Sequence, residues 1–188
     1  MQIEMLPIPG LALIIPRRFR DSRGWFSESW NKRALETAGL NLPEFVQDNH
    51  SLSHEPSTVR GLHFQSPPHA QGKLVRCGRG RLFDAVVDVR KGSPMFGQWF
   101  GIDLSLENGH QLWIPPGLLH GFVTLEPDTE IIYKCTDHYD SACDGSVRWD
   151  SCGIDWPLLG MSPILSDKDA QARPFAAFET PFVYGNPA

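Results

Sequence analysis

The chain has no hydrophobic run close to the roughly 20 apolar residues that a bilayer-spanning helix requires, so no membrane partner is expected. Its most apolar segment, Leu6 to Ile15, is broken by two prolines and a glycine and has no basic residues before it. That is not the pattern of a signal peptide. Positive charge is also in short supply: 17 Lys and Arg stand against 22 Asp and Glu, giving a net charge of −5 and a pI near 5.8. A nucleic acid polymer is therefore excluded as a partner, and any phosphate must be met locally by a few placed Arg and Lys. The four cysteines, Cys77, Cys135, Cys143 and Cys152, form no C-x-x-C pair and no compact framework. Their spacing predicts free thiols in a reducing, cytoplasmic setting and no zinc knuckle. Repeats, linkers and low-complexity tracts are absent, and the 16 prolines and 17 glycines are scattered. A length of 188 residues suits one domain with a sizeable core, so a single domain over 1–188 is expected.

What the sequence does contain is a series of short apolar or alternating runs separated by turn formers. From Leu74 onward they read LVRC, LFDAVVDV, QWFGIDLS and QLWI, broken by GRGR, KGSP and LENG. This pattern predicts a β meander. HGFVTL and EIIYKCT, separated by EPDT, predict a further hairpin pair. Asn31 to Ala38 is the clearest helix, with Asn31 as N-cap and Gly39 at the C′ position. A second short helix is expected from Ser166, which stands three residues before an acid in Ser-Asp-Lys-Asp. Many strands with few short helices predict a sandwich or barrel, a fold that can enclose a small molecule.

Reactive polar residues concentrate in four segments: Arg23 to Glu28, Gln47 to Ser51, Val59 to Lys73, and His120 with Tyr133 to Tyr139. Strand parity puts Gln47, Asn49 and Ser51 on one face, a row that fits either a polar cavity or a surface strand. Arg60 and His63 have opposite parity and can share a cavity only if the chain bends at Gly61. His63 alone fits a surface or satisfied histidine as well as a catalyst, and Tyr133 alone fits a core tyrosine as well as an acid. Pro115-Pro116-Gly117-Leu118-Leu119-His120 resembles the second cupin motif, Pro-x-Gly-x-x-His. Metal-binding cupins pair it with a His-x-His and a Glu, yet here the first motif reads His63-Phe64-Gln65, with Lys73 where an acid would be sought. A lysine ammonium has no lone pair and repels a divalent ion, so no metal and no other cofactor is expected. Proton transfer beside a carbonyl fits this set better. A neutral His can abstract the proton, Lys73 can stabilise the enolate oxygen, and a Tyr hydroxyl can reprotonate the opposite face.

Taken in order, RDSRGWFSESW, QDNHSLS, VRGLHFQSPPHAQGKLVR, FDAVVDVRKGSPMFGQW, LWIPPGLLHGF, EIIYKCTDHY and LSDKD closely resemble the dTDP-4-dehydrorhamnose 3,5-epimerases. The resemblance covers roughly residues 19 to 170. It implies an all-β, cupin-like jelly-roll β-barrel with a few short helices, in a homodimer whose N-terminal segments cross to the partner subunit. It implies the substrate dTDP-4-dehydro-6-deoxy-D-glucose and the product dTDP-4-dehydro-L-rhamnose, an intermediate for rhamnose-containing polysaccharide. By the same resemblance His63 is the base, Asp169 its orienting carboxylate, Tyr133 the acid, and Lys73 the neighbour of the sugar C4 oxygen. Substrate contacts carry over to Arg23, Glu28, Gln47, Asn49, Arg60, His120, Tyr139 and Lys168, with Phe19 and Phe26 at the thymine end. Arg23, Arg60 and Lys168 are the diphosphate candidates. Asp144 departs from the pattern, standing where many members carry Glu. The alternatives are an epimerase acting at C3 or C5 only, a metal-dependent cupin enzyme, and a non-catalytic sugar-nucleotide binding module. Metal analysis separates the second from the first, and solvent deuterium entering the ligand excludes the third.

Overall fold

β-Branched and aromatic runs pair into strands until glycine or proline interrupts the ladder. In the computed structural model, which describes residues 1–185, the N-terminal strands are β1 (Gln2–Met5), β2 (Ala12–Ile15), β3 (Arg18–Asp21) and β4 (Gly24–Ser27). Helix α1 (Lys32–Thr37) follows, then β5 (Gln47–Ser53), β6 (Val59–Gln65), β7 (Lys73–Arg79) and β8 (Arg81–Asp88). After these come β9 (Trp99–Ser105), β10 (Gln111–Ile114), β11 (Leu118–Thr124), β12 (Thr129–Cys135) and β13 (Asp144–Ser146). A short helix α2 (Asp167–Ala170) and a 3₁₀ turn at Phe175–Ala177 lie near the end of the described chain.

Every apolar run expected to be a strand is one, but neither the meander nor the hairpin after His120 forms. One antiparallel sheet has the order β1-β2-β10-β7-β12-β5 and the other β13-β6-β11-β8-β9, while β3 and β4 pair only with each other. From β5 to β13 the chain changes sheet at every connection except β8 to β9. A period-two pattern with a turn signal shows where a strand stops, not whether the next one pairs beside it or crosses to the facing sheet. Gly80, Gly117 and Asp128 have φ of 71°, 89° and 50°, and all three lie in connections that cross. The architecture is the expected all-β jelly roll, as two facing sheets whose hydrogen bonding does not close into a barrel among the described residues.

Val75, Leu112 and Ile131 from the six-stranded sheet meet Leu82, Val86 and Leu104 from the other in the central core. Each of these buried side chains contributes about 1.5–3 kcal/mol relative to exposure. The outer faces are covered as well. Leu62, Ala85, Val87 and Leu119 lie under Ile154, Phe182 and Trp156, and Ile14, Leu74 and Trp113 lie under Leu35 and Leu40. Strands buried on both faces read as continuous apolar runs, which is why β8 and β11 show so little alternation.

The capping expectations hold. The Asn31 side chain accepts from Ala34 N at 3.1 Å, and the N–H groups of Gly39 and Leu40 donate to the Glu36 and Leu35 carbonyls, a Schellman ending with Gly39 at φ 90°. Ser166 caps α2 by accepting from Asp169 N at 3.2 Å. The four cysteines are free thiols, and among the described residues no helix is long and apolar enough to cross a membrane.

Candidate active site

Inward-facing positions are apolar through most of the sandwich and then turn polar together. On β12 the inner row runs from Ile131 to Tyr133 and Cys135, on β7 from Val75 to Lys73, and on β11 from Phe122 to His120. Strand β5 adds Ser51, Asn49 and Gln47, whose register partners are Ile131, Tyr133 and Cys135. These three are half-buried while the alternate residues Asp48, His50 and Leu52 are exposed, so the amide row faces the interior.

The condition on Arg60 and His63 is met by a bulge. His63 pairs with His120 and Arg60 with Phe122, so three residue steps on β6 match two on β11. The extra residue brings Arg60 and His63 to the same face. Gly61 occupies the bulge at φ 128°, and a Cβ there would lie 2.6 Å from Gly121 Cα and 2.8 Å from the His120 carbonyl oxygen. Only glycine allows the two strands this approach.

The polar interior has two lobes. One, of about 410 Å³, is lined by Arg60, His120 and Asp169 with the apolar Val59, Phe122, Ile164 and Leu165. The other, of about 440 Å³, is lined by Gln47, Asn49, Gln65, Gln71, Tyr139 and Asp144. His63, Lys73, Tyr133 and Lys168 line both. Three of the four expected catalytic residues therefore stand where the lobes meet, and the fourth, Asp169, touches His63.

His63 Nε2 lies 2.6 Å from Asp169 Oδ1. Burial pushes the Asp169 carboxyl up, but the His63 hydrogen bond and charge, the Ser166 hydroxyl and the Gly61 N–H together hold it below the usual carboxylate range. An ionised carboxylate only accepts, so Nε2 must donate and the lone pair of a neutral ring resides on Nδ1. Burial raises the pKa of the Tyr133 hydroxyl, Cys135 adds to this and Arg60 opposes it, so the tyrosine keeps its proton at neutral pH. Desolvation lowers the pKa of Lys73, while Cys135, Asp84 and Asp144 raise it and Lys168 lowers it further. The Lys73 ammonium is 5.8 Å from the Tyr133 ring centroid. A histidine held by a carboxylate, a desolvated lysine and a protonated tyrosine thus share one space.

The remaining predicted residues divide into two groups. Gln47, Asn49, Arg60, His120, Tyr139 and Lys168 line the lobes. Arg60 is steadied by Ser53 Oγ at 3.1 Å and the Leu52 carbonyl at 3.2 Å, and Gln47 accepts from Tyr139 N at 2.8 Å. Lys168 pairs with Asp144, which also accepts from the Tyr139 hydroxyl at 3.4 Å. Phe19, Arg23, Phe26 and Glu28 are not in the cavity of their own chain. Phe19 and Phe26 are register partners on the β3–β4 hairpin and are 51% and 69% exposed, and Arg23 pairs with Asp21 beside them. Glu28 lies over the outer face of the six-stranded sheet, near Arg76 and Lys134.

Comparison with known proteins decides the family. The dTDP-4-dehydrorhamnose 3,5-epimerase family model matches residues 5–177. An enzyme of that name from Sinorhizobium fredii is 47% identical over 98% of this chain and 94% of its own length. A dTDP-4-dehydrorhamnose 3,5-epimerase of Bacillus anthracis, solved with TDP and PPi bound, superposes with a TM-score of 0.88 at 45% identity, covering 92% of this chain and 98% of that one. The Legionella pneumophila dTDP-6-deoxy-D-glucose-3,5-epimerase, solved in complex with dTDP-4-keto-L-rhamnose, gives 0.88 at 44% identity over 95% and 94%. The chain belongs to the dTDP-4-dehydrorhamnose 3,5-epimerase family.

Sequence reasoning missed three groups in this epimerase. Asp84 is fully buried with both carboxylate oxygens on His120 Nε2, at 2.9 and 3.1 Å. Its signal was legible, since Asp84 is an acid on the inward parity of an apolar strand, between Leu82 and Val86. Ser166 caps α2 and also donates to Asp169 Oδ2 at 2.9 Å, so one hydroxyl fixes both the helix and the carboxylate that orients His63. Gln65 enters the sequence argument only as a replacement for a metal-ligating histidine. Its amide instead bonds the His69 and His138 carbonyls and Asp140 N, tying β6 to the loop after β12.

Proposed function

We propose that the chain converts dTDP-4-dehydro-6-deoxy-D-glucose into dTDP-4-dehydro-L-rhamnose by inverting C3 and C5, with His63 as base, Tyr133 as acid and Lys73 as the cation at the C4 oxygen. The observation that supports it best is the convergence of the Asp169-oriented His63, Lys73 and Tyr133 at the junction of the two lobes.

His63 Nδ1 takes the proton from carbon beside the ketone, and the electron pair of the broken C–H bond moves into an enolate whose charge gathers on the C4 oxygen. The Lys73 ammonium meets that charge inside a desolvated site, where a fixed cation acts more strongly than in water. Asp169 stabilises the imidazolium that results. Tyr133 then delivers its proton to the opposite face of the carbon, and proton exchange with solvent resets both residues. Arg60 and Lys168 supply local positive charge for the diphosphate in a chain of net charge −5. The hairpin residues Phe19, Arg23 and Phe26, with Glu28, serve the cavity of a partner subunit in a cytoplasmic homodimer. This reading accounts for exposed aromatics on a two-stranded sheet that packs no core of its own.

The test is NMR of the 4-keto sugar nucleotide in D2O. Wild type is expected to invert C3 and C5 with solvent deuterium at both carbons, and inversion at one carbon alone would establish a single-position epimerase. His63→Ala should abolish both exchange and inversion, because no enolate forms. Tyr133→Phe keeps base and cation, so exchange should exceed inversion. A Tyr133→Phe variant that inverts at the wild-type rate overturns the assignment.

A further inference from the structure

The proposed mechanism leaves a second histidine–carboxylate pair without a task. Asp84 projects from β8 into the interior with both oxygens on His120 Nε2, and His120 is the register partner of His63 on the neighbouring strand. The pair is almost closed to solvent, with Asp84 0% and His120 7% exposed. The same-face neighbours of Asp84, Leu82 and Val86, are fully buried and apolar, so a leucine or valine would suit the position without any desolvation cost. A buried carboxylate persists only where partners offset that cost. The hydrogen-bonding partner here is the His120 N–H, and the Lys73 side chain stands near enough on the facing sheet for the two charges to interact.

We propose that Asp84 is a positioning residue for the epimerisation, holding His120 with Nε2–H turned inward and Nδ1 toward the reacting sugar, and supplying the buried charge that keeps Lys73 an ammonium. Among the described residues His120 Nδ1 has no hydrogen-bond partner, yet no buried side-chain nitrogen or oxygen is left unpaired, so Nδ1 is reached from the cavity that His120 lines. Lys73 is faced by Cys135 and Tyr133 from β12, Asp84 from β8, His63 from β6, His120 from β11, Asp144 from β13 and Lys168 from α2. Of the two carboxylates that raise its pKa, Asp144 is already paired with Lys168, which opposes it. Asp84 pairs with no lysine or arginine among the described residues, its one side-chain partner being the His120 ring. As pH rises, Lys73 loses its proton at its own pKa, so removing a charge that raises that pKa must bring the loss to lower pH.

The inference rests on the epimerase reading, and wild-type turnover measured in parallel tests that reading separately. Asp84→Asn keeps the volume and an oxygen to accept from Nε2–H but removes the charge. A thermal melt verifies the fold. The alkaline limb of the kcat profile should move to lower pH by about one unit, with kcat at neutral to mildly alkaline pH down about tenfold and KM within about threefold of wild type. The acid limb should stay in place. An unmoved alkaline limb overturns the charge role, whether or not kcat falls, because a purely structural part would lower kcat without shifting the limb. Should the variant not fold, ¹⁵N NMR of the wild-type histidine rings reads the other half. Protonated Nε2 on His120 is expected, and an Nδ1–H neutral tautomer would overturn the orientation.

Discussion

Lys73 is the residue on which chemistry and electrostatics press hardest. Desolvation destabilises its charged form, so its pKa lies below the ordinary lysine range, while the proposed task requires it charged. Lys73→Ala is accordingly expected to reduce kcat far more than it raises KM. The loss should be about 2.7–4 kcal/mol in transition-state stabilisation, because the C4 oxygen carries full charge only as an enolate. The variant should also lose the alkaline limb that titration of the ammonium imposes on wild type. Steady-state kinetics across pH measure both, and a raised KM at unchanged kcat would reduce Lys73 to a substrate clamp. That His63, Lys73 and Tyr133 would share one polar interior was suggested by residue chemistry, whereas the contact of Asp169 with His63 was expected only through family resemblance, since nothing local ties an aspartate on a one-turn helix to a histidine 106 residues away. Asp84 was readable by parity, but attention to polar clusters passes over an acid flanked by apolar residues in a strand.

At the scale of elements, the caps of both helices could be read from single residues because a cap is satisfied within a few positions of itself. The β6 bulge could be stated only as a condition. Opposite parity said that Arg60 and His63 needed a bend, and the pairing of β6 with β11 supplies it. Gly61→Ala tests that device. The new methyl would collide with Gly121 Cα and the His120 carbonyl in a conformation already unfavourable for alanine, so the strands must part. A stability loss of about 1–3 kcal/mol in urea denaturation is expected. Turnover per folded molecule should fall with it, since His63, Arg60 and His120 all border the bulge. Gly39→Ala is the control. It has the same kind of strain at φ 90° with no atom within 4 Å of the added methyl, and it should lose stability while the folded enzyme keeps its kcat. Equal kcat in both variants would show that the bulge does not set the geometry of the site.

For the whole molecule, strands were legible and their partners were not. Each strand is specified by its own alternation and flanking turns, whereas the crossing from one sheet to the other depends on burying both faces of β8 and β11 at once, a property of the assembled sandwich. The same limit applies to Phe19, Arg23 and Phe26, which the family pattern assigns to the substrate and the fold places on a hairpin outside the cavity. If that hairpin completes the partner's cavity, the two defects must complement each other across subunits. A His63→Ala chain keeps an intact hairpin, and an Arg23→Ala/Phe26→Ala chain keeps an intact cavity. Each homodimer should be nearly inactive because every cavity has one defect. In a mixed dimer one cavity receives both defects and the other neither, so co-refolded variants should recover about one working site per mixed dimer. The check is the turnover of co-refolded chains against the same chains mixed after folding. Recovery only on co-refolding supports exchange of the hairpin between subunits. No recovery, with mixed dimers verified by mass spectrometry, would mean that each hairpin serves its own chain, and the proposed assembly would have to be abandoned.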